Sequence, residues 1–261
     1  MVPRCLTIAG SDSGGGAGIQ ADLKAFAALG CHGMSAIVAL TAQNTVAVTG
    51  VHEVPPDFVR AQLEAVFVDI GVDAAKTGML FSAPIIETVA GFLETHRVPL
   101  VVDPVMVAAS GARLLREDAV SALVERLFPL ATVVTPNLRE ACALAGLPYR
   151  DDADRRRLAE ALRDLGAPAV VVTGGHGTEP VDWLYNGAHH IPIPVERYGE
   201  EATHGAGCTH SASLAALLAR GESLEQAVRG AARIASGAVR NGLAGLGAGS
   251  GPVDVFGLAR R

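Results

Sequence analysis

The chain has 261 residues, of which 49% are hydrophobic, and a formal net charge of −6. That apolar content suffices for one large core, so we expect a single domain over residues 1–261. The lysines and arginines form no long basic run, and the four cysteines lack zinc-type spacing. No apolar run reaches the 18 residues of a membrane span. These features predict a cytoplasmic protein without nucleic-acid or membrane partners.

Short apolar runs alternate with longer amphipathic stretches over most of the chain, which is typical of βαβ units. Strands are predicted over Cys5–Ala9, Met34–Leu40, Ala74–Lys76, Leu100–Val102, Thr132–Thr135 and Ala169–Thr173. Helices are predicted over Gly18–Leu29, Asp57–Ile70, Pro84–His96, Glu117–Leu127 and Ala153–Leu165. We therefore expect the α/β class, with a doubly wound, mostly parallel sheet and helices on both of its faces.

The pattern changes after Gly174. Asn186-Gly187 predicts the turn of a β-hairpin whose strands are Val181–Tyr185 and His189–Ile193. Two alanine-rich helices are predicted to follow, over Cys208–Ala219 and Leu224–Asn241. The glycine-rich segment Gly242–Gly251 is expected to be a mobile loop.

A glycine-rich loop joins the first predicted strand to the first helix, with the sequence GSDSGGGAGIQAD over residues 10–22. Glycines there let the backbone approach a ligand closely and present N–H groups at a helix start. A dinucleotide-binding loop is the alternative. It is disfavoured because the run is GGGAG rather than GxGxxG and because no acidic residue follows between Gly30 and Val51.

A second glycine turn, residues 203–209 with the sequence THGAGCT, stands directly before an alanine-rich helix. The N–H groups of Gly205, Ala206 and Gly207 are predicted to converge and to stabilise negative charge on a transferring phosphoryl group. Cys208 follows in the first helical turn, where we expect the pKa of the thiol to be lowered. A plain glycine-assisted turn beside a buried cysteine is the alternative.

Polar residues also follow other predicted strands. Asp103 ends one strand, and Asn137 and Glu140 follow the next. The carboxyl ends of parallel strands meet at one edge of a sheet, so these oxygens are predicted to converge as Mg²⁺ ligands. The alternative for Glu140 is a solvated residue in a first helical turn. A glycine turn over Thr173–Gly177 is a weaker candidate for nucleotide contact.

Together these segments resemble the hydroxymethylpyrimidine and phosphomethylpyrimidine kinases of thiamin biosynthesis, a branch of the ribokinase-like family. The matching stretches keep the family's order and span almost the whole chain. They are Leu6–Leu29, Leu40–Thr45, Lys76–Met79, Val101–Val107, Thr135–Glu140, Thr173–His176 and Thr203–Thr209.

The resemblance implies a ribokinase-like kinase that uses ATP and Mg²⁺ to phosphorylate 4-amino-5-hydroxymethyl-2-methylpyrimidine and its monophosphate, and that forms a homodimer. It implies that the pyrimidine is held by Gly10, Asp22, Gln43 and Val107. It makes Gly205, Ala206 and Gly207 the anion hole, with Cys208 as the catalytic base. It assigns the nucleotide to Asn137, Thr173, Gly175, His176 and Thr203, and Mg²⁺ to Asp103 and Glu140.

The sequence departs from this family at several positions. Thr173 and Ala206 stand where the family often has lysine and threonine, and Ala109 and Ala232 replace lysines common near the nucleotide. The variants at Thr173 and Ala206 resemble bacterial pyridoxine/pyridoxal kinases, so pyridoxal phosphorylation is the alternative function. Gln43 is the pyrimidine-kinase version of its motif and favours the pyrimidine.

Overall fold

The computed structural model describes residues 1–108, 111–112, 114–116, 118–151, 153–174 and 179–258. Within these residues nine strands form one sheet, in the order β3-β2-β1-β4-β5-β6-β7-β8-β9. Strands β1, β2 and β4 to β7 pair in parallel, and the antiparallel strands lie at the two edges. The strands are Arg4–Asp12 (β1), His32–Gln43 (β2), Val48–Glu53 (β3), Ala74–Thr77 (β4), Leu100–Val102 (β5), Val133–Val134 (β6), Val170–Val172 (β7), Val181–Tyr185 (β8) and His190–Pro194 (β9).

Helices cover both faces of this sheet, which confirms the predicted fold class. The helices are Gly18–Ala28 (α1), Pro56–Asp69 (α2), Ala83–Thr95 (α3), Ala119–Ala122 (α4), Leu138–Ala145 (α5), Asp154–Asp164 (α6), Ala206–Ala219 (α7) and Leu224–Arg240 (α8). Helix α4 continues through a π turn and a 3-10 turn to Leu130. None of the described helices is both long and apolar enough to cross a membrane.

Strands β1 and β4 to β7 are buried on both faces, which explains their continuous apolar runs. In β7, Val170 and Val172 pack into the core layer beneath α2, α3, α5 and α6, whereas Val171 packs into the layer beneath α1, α7 and α8. All three valines are fully buried. Burying such a side chain contributes about 1.5–3 kcal/mol, so the sheet centre is the main source of stability.

Two elements and one loop differ from the sequence expectation. Strand β3 and helix α5 were not among the predicted elements; β3 is a mostly exposed edge strand that contains Gly50, so its pattern is weak. The segment Gly242–Gly251 is not the loose loop we expected. Its end pairs with the chain before α7, through Gly251 N–H to Glu201 O at 2.9 Å. Gly249 also packs so closely that a Cβ there would lie 2.0 Å from Thr45 O.

Candidate active site

The loop between β1 and α1 is organised by the buried carboxylate of Asp12. This carboxylate accepts hydrogen bonds from the N–H groups of Gly14 at 2.8 Å, Gly16 at 3.1 Å and Ala17 at 2.8 Å. Burial raises the pKa of Asp12. Hydrogen bonds from His204 and from the loop N–H groups lower it by a larger amount, so the net shift is downward. The N–H groups that the sequence offered to a ligand are therefore used in part by the loop itself.

The second glycine turn forms the N-terminus of α7. Gly205 caps the helix with φ 85°, a left-handed conformation that favours glycine. This geometry brings Ala206 N–H to Thr203 O at 3.0 Å. In this state the Ala206 N–H donates within the chain, and its role toward a phosphoryl group stays a prediction. Within the described ranges, the N–H groups of Gly207 and Cys208 have no acceptor, so the available donors lie one residue later than expected.

A buried cluster of charges lies below this turn. Lys76 on β4 is fully buried, and its Nζ lies 2.9 and 3.0 Å from the two carboxylate oxygens of Asp22. Asp103 Oδ2 lies 3.9 Å from the same Nζ. Hydroxyl groups complete the cluster, because Thr7 donates to Asp22 at 2.6 Å and Ser211 donates to Asp103 at 2.8 Å.

The opposite charges in this cluster stabilise each other's ionised forms. Burial raises the pKa of Asp22 and of Asp103, and the charge of Lys76 opposes both shifts. Burial lowers the pKa of Lys76. The charge of Asp22 and the other acidic neighbours of Lys76 raise this pKa by a larger amount, so Lys76 remains an ammonium ion. Lys76 begins the matching stretch Lys76–Met79, and the resemblance implies no role for it. The available signal was a lysine within an otherwise apolar predicted strand.

The thiol of Cys208 lies next to this cluster and is half-buried. Burial raises the pKa of Cys208 to about 12; Lys76 and the N–H of Gly18 lower it, while the charges of Asp22 and Asp103 raise it. The expectation of a lowered pKa is therefore wrong. Desolvation beside two carboxylates outweighs the favourable helix N-terminus. The thiol is therefore protonated at neutral pH.

Asn137 and Glu140 form a capping box at the start of α5. Asn137 Oδ1 accepts from the N–H of Glu140 at 3.0 Å, and Glu140 Oε2 accepts from the N–H of Asn137 at 2.9 Å. Glu140 is buried rather than solvated. Burial raises the pKa of Glu140 to about 8; the charge of Asp103 adds to this, and N–H groups of Asn137 and Met106 oppose it. The two predicted metal-binding carboxylates are therefore close enough to repel each other.

The described parts of the chain contain no group of three or more His, Cys, Asp or Glu side chains that could hold a metal ion. Mg²⁺ commonly takes only one or two protein carboxylates and completes its shell with water and phosphate oxygens. Asp103 and Glu140 fit that mode, because they are two buried oxygen donors whose mutual repulsion a cation would relieve.

A polar cavity of about 250 Å³ lies between the end of β2 and the loop that follows α8. It is lined by Gln43, Asn44, Thr45, Val46, His204, Ala248, Gly249 and Ser250. The residues predicted to hold the pyrimidine are therefore divided. Gln43 lines the cavity, Asp22 is fully buried against Lys76, and Val107 is 51% exposed and outside the cavity lining. Gly10 packs against Met79, whose Cε would lie 2.1 Å from a Cβ at that position.

Of the residues predicted for the nucleotide, Asn137 and Thr173 follow the neighbouring strands β6 and β7, and Thr203 precedes α7. Thr173 pairs with Asn137 in an isolated bridge, and its N–H donates to Pro136 O at 3.0 Å. Thr203 is bonded through its N–H to Ser250 Oγ at 3.1 Å. Gly175 and His176 lie outside the described residues.

Comparison with known proteins places these features in a family. A family model described as phosphomethylpyrimidine kinase matches residues 12–254. A hydroxymethylpyrimidine/phosphomethylpyrimidine kinase of Streptomyces coelicolor is 48% identical over 253 residues, covering 97% of this chain and 94% of that protein. The thiamine biosynthesis bifunctional protein ThiED of Geobacter sulfurreducens is 51% identical over 252 residues. That match covers 95% of this chain, which spans about half (51%) of the length of ThiED.

Solved structures share the fold over nearly the whole chain. The pyridoxal kinase from Staphylococcus aureus in complex with AMP-PCP and pyridoxal has a TM-score of 0.90 at 36% identity, covering 100% of this chain and 96% of that one. The phosphomethylpyrimidine kinase of Clostridium difficile has a TM-score of 0.79 at 40% identity, covering 89% and 96%.

Proposed function

Since the chain belongs to the phosphomethylpyrimidine kinase family, we propose that its two glycine loops and buried charges form one site for two successive phosphorylations. The chain is an ATP-dependent phosphotransferase that acts on hydroxymethylpyrimidine, the pyrimidine precursor of thiamin. The placement of Cys208 carries the proposal for the site. Its thiol lies at the N-terminus of α7, beside two N–H groups without acceptors and beside the Lys76 ammonium.

In this proposal the N–H groups of Gly207 and Cys208 stabilise charge on the transferring phosphoryl group, and the Cys208 thiolate accepts the proton of the substrate hydroxyl. Phosphoryl transfer asks the protein chiefly for positioning and charge stabilisation, which a left-handed turn at Gly205 followed by a helix supplies. Asn137, Thr173 and Thr203, with the predicted Gly175 and His176, contact the nucleotide.

On the pyrimidine side, Gln43 hydrogen-bonds the ring from the polar cavity. Gly10 and Val107 also border the ring in this proposal. Asp22 supports the site from the protein interior, because Lys76 donates to both of its carboxylate oxygens and Thr7 donates to one of them. A single domain over residues 1–261, assembly as a homodimer and a cytoplasmic location complete the proposal.

Product analysis tests the two steps directly. Incubation with hydroxymethylpyrimidine and MgATP, followed by mass spectrometry, should show the monophosphate first and the diphosphate later. Accumulation of monophosphate alone would limit the chain to one step. Pyridoxal is the second candidate substrate, favoured by the likeness to a pyridoxal kinase, and it is offered in a parallel reaction.

We further propose that Mg²⁺ is held by Asp103 and Glu140 together with ATP phosphates. When bound, the ion neutralises phosphate charge. Because burial raises the pKa of Glu140 to about 8, this carboxyl group is mostly protonated at pH 7. Metal binding must then displace a proton, so the affinity for Mg²⁺ should rise as the pH rises through 8.

Glu140→Gln tests this metal proposal. Glutamine preserves the capping box at α5 but cannot ionise, so the protein should fold normally. We expect the Mg²⁺ concentration for half-maximal turnover to rise roughly tenfold, which corresponds to about 1.4 kcal/mol of binding free energy. We also expect this concentration to lose its dependence on pH. The measurement is a Mg²⁺ titration of turnover at pH 6.5, 7.5 and 8.5. Identical titration curves for the two proteins would contradict the assignment.

Gln43→Met tests the choice of substrate. Removing the amide leaves ring nitrogens of the pyrimidine unpaired in the complex, at a cost of about 1–3 kcal/mol. We expect kcat/KM for hydroxymethylpyrimidine to fall by a corresponding 5-fold to 150-fold while that for pyridoxal is retained or rises. Asn44→Ala, which changes a neighbouring cavity residue, is the matched control. Unchanged hydroxymethylpyrimidine kinetics in Gln43→Met would remove Gln43 from the substrate site.

A further inference from the structure

A buried histidine–carboxylate pair joins the two glycine loops. His204 Nε2 lies 2.8 Å from Asp12 Oδ2, and the side chains are 9% and 3% exposed. Asp12 organises the loop between β1 and α1, and His204 directly precedes the turn at Gly205. Neither side chain is among the residues proposed to contact the substrate, the nucleotide or the metal.

The two loops approach each other backbone to backbone. A Cβ at Gly205 would lie 1.8 Å from Gly16 O, and a Cβ at Gly16 would lie 2.2 Å from His204 Cδ2. Neither glycine has a side chain that could fix the distance between the loops. The hydrogen bond between Asp12 and His204 supplies a directional link between two side chains of these loops, beside the hydrogen bond from the N–H of Gly18 to Cys208.

The main chain of His204 is also hydrogen-bonded to the C-terminal loop that follows α8. His204 N–H donates to Gly251 O at 3.1 Å, and His204 O accepts from Val253 N–H at 3.0 Å. Its imidazole also lines the polar cavity that contains Gln43. One residue thus contacts the first glycine loop, the C-terminal loop and the cavity, and it is covalently joined to the helix-capping turn.

We propose that His204, held by Asp12, is a positioning residue that sets the turn at Gly205 against the first glycine loop. The inference rests on the proposed role of that turn in binding the phosphoryl group. Displacement of the imidazole moves Gly205, and with it the N–H groups of Gly207 and Cys208. A misplacement of about 1 Å at a reacting centre can lower the rate by about 10²-fold.

His204→Leu and His204→Gln separate this role from simple packing. Leucine fills a similar volume without a donor, whereas the glutamine amide can still donate to Asp12. For His204→Leu we expect turnover to fall roughly 10-fold to 100-fold, with KM for hydroxymethylpyrimidine and ATP changed by less than about threefold. His204→Gln should recover most of the turnover. His190→Leu, which removes the 3.0 Å contact between His190 on β9 and Glu160 on α6, is the matched control and should retain wild-type turnover.

Amide hydrogen exchange provides a readout that needs no reaction. His204→Leu should speed exchange at Ala206 and Thr209, whose N–H groups donate to Thr203 O at 3.0 Å and to Gly205 O at 2.8 Å, by at least tenfold more than in the core strand β7, and His204→Gln should not. Wild-type turnover and exchange in His204→Leu would overturn the inference. Equal losses in the leucine and glutamine variants, or a loss confined to KM, would also overturn it. An inactive wild-type protein would instead contradict the proposed function, while exchange still tests the positioning role.

Discussion

Cys208→Ala is expected to lower turnover by roughly 10²–10⁴-fold, the usual range for loss of a general base. The protein should fold normally and bind ATP, because Cys208 is half-buried and the turn at Gly205 does not depend on its side chain. The measurement is kcat at saturating MgATP and hydroxymethylpyrimidine, with ATP-analogue binding determined by calorimetry. Cys142→Ala removes another half-buried thiol, which lies on α5, and is the matched control.

The pH dependence gives this prediction a sign. Burial raises the pKa of Cys208 to about 12, so the reactive thiolate is scarce at neutral pH and becomes more abundant as the pH rises. Wild-type turnover at saturating Mg²⁺ should therefore increase from pH 7 to pH 9. Cys208→Asp supplies a carboxylate in place of the thiol and should retain more activity than Cys208→Ala. Near wild-type turnover in Cys208→Ala would leave the N–H groups as the whole contribution of this turn.

Lys76→Met is expected to destabilise the protein by about 3–5 kcal/mol, because it leaves Asp22 and Asp103 buried without their shared cation. Methionine matches the length of the lysine stem, so lost charge rather than lost volume dominates the effect. Chemical denaturation by urea, followed by circular dichroism, measures the free energy of unfolding. The double variant Lys76→Met with Asp22→Asn should recover part of the loss, since it removes one of the unpaired charges.

A surface ion pair provides the contrast for this experiment. Arg60 and Glu64 lie 2.8 Å apart on α2, and each side chain is about half exposed. Arg60→Met should cost less than about 1 kcal/mol because water screens such pairs. If Lys76→Met cost no more than Arg60→Met, the buried cluster would contribute little to stability.

The sequence predicts the centre of the sheet well because strands β1 and β4 to β7 are buried on both faces and therefore appear as short apolar runs. The hairpin at Asn186-Gly187 is predicted for a similarly local reason, since the turn needs residues that accept positive φ. Edge strand β3 lacks such a signal. Its residues are mostly exposed and include Gly50, so neither an apolar run nor regular alternation marks it.

The chemistry of the site is harder to predict because it depends on residues that are distant in the chain. A cysteine in a first helical turn favours a lowered pKa, but burial beside Asp22 and Asp103 reverses the direction. Lys76 and Asp22 are separated by 54 positions, and their contact depends on the pairing of β1 with β4 and on the packing of α1 against β1. The sequence likewise groups Asp22 with Gln43, although one is fully buried and the other lines the cavity.

The separation of Asp12 and His204 along the chain affects when the two loops can meet during translation. The two residues are 192 positions apart, and translation proceeds at about 5–20 residues per second, so His204 is made roughly 10–40 s after Asp12. The strands β1 to β9 are all translated before His204. The sheet can therefore start to form during synthesis, whereas the two glycine loops meet only when α7 has left the exit tunnel. A nascent chain stalled before His204 lacks both the turn that begins α7 and the residues Ala248, Gly249 and Ser250 that complete the cavity around Gln43.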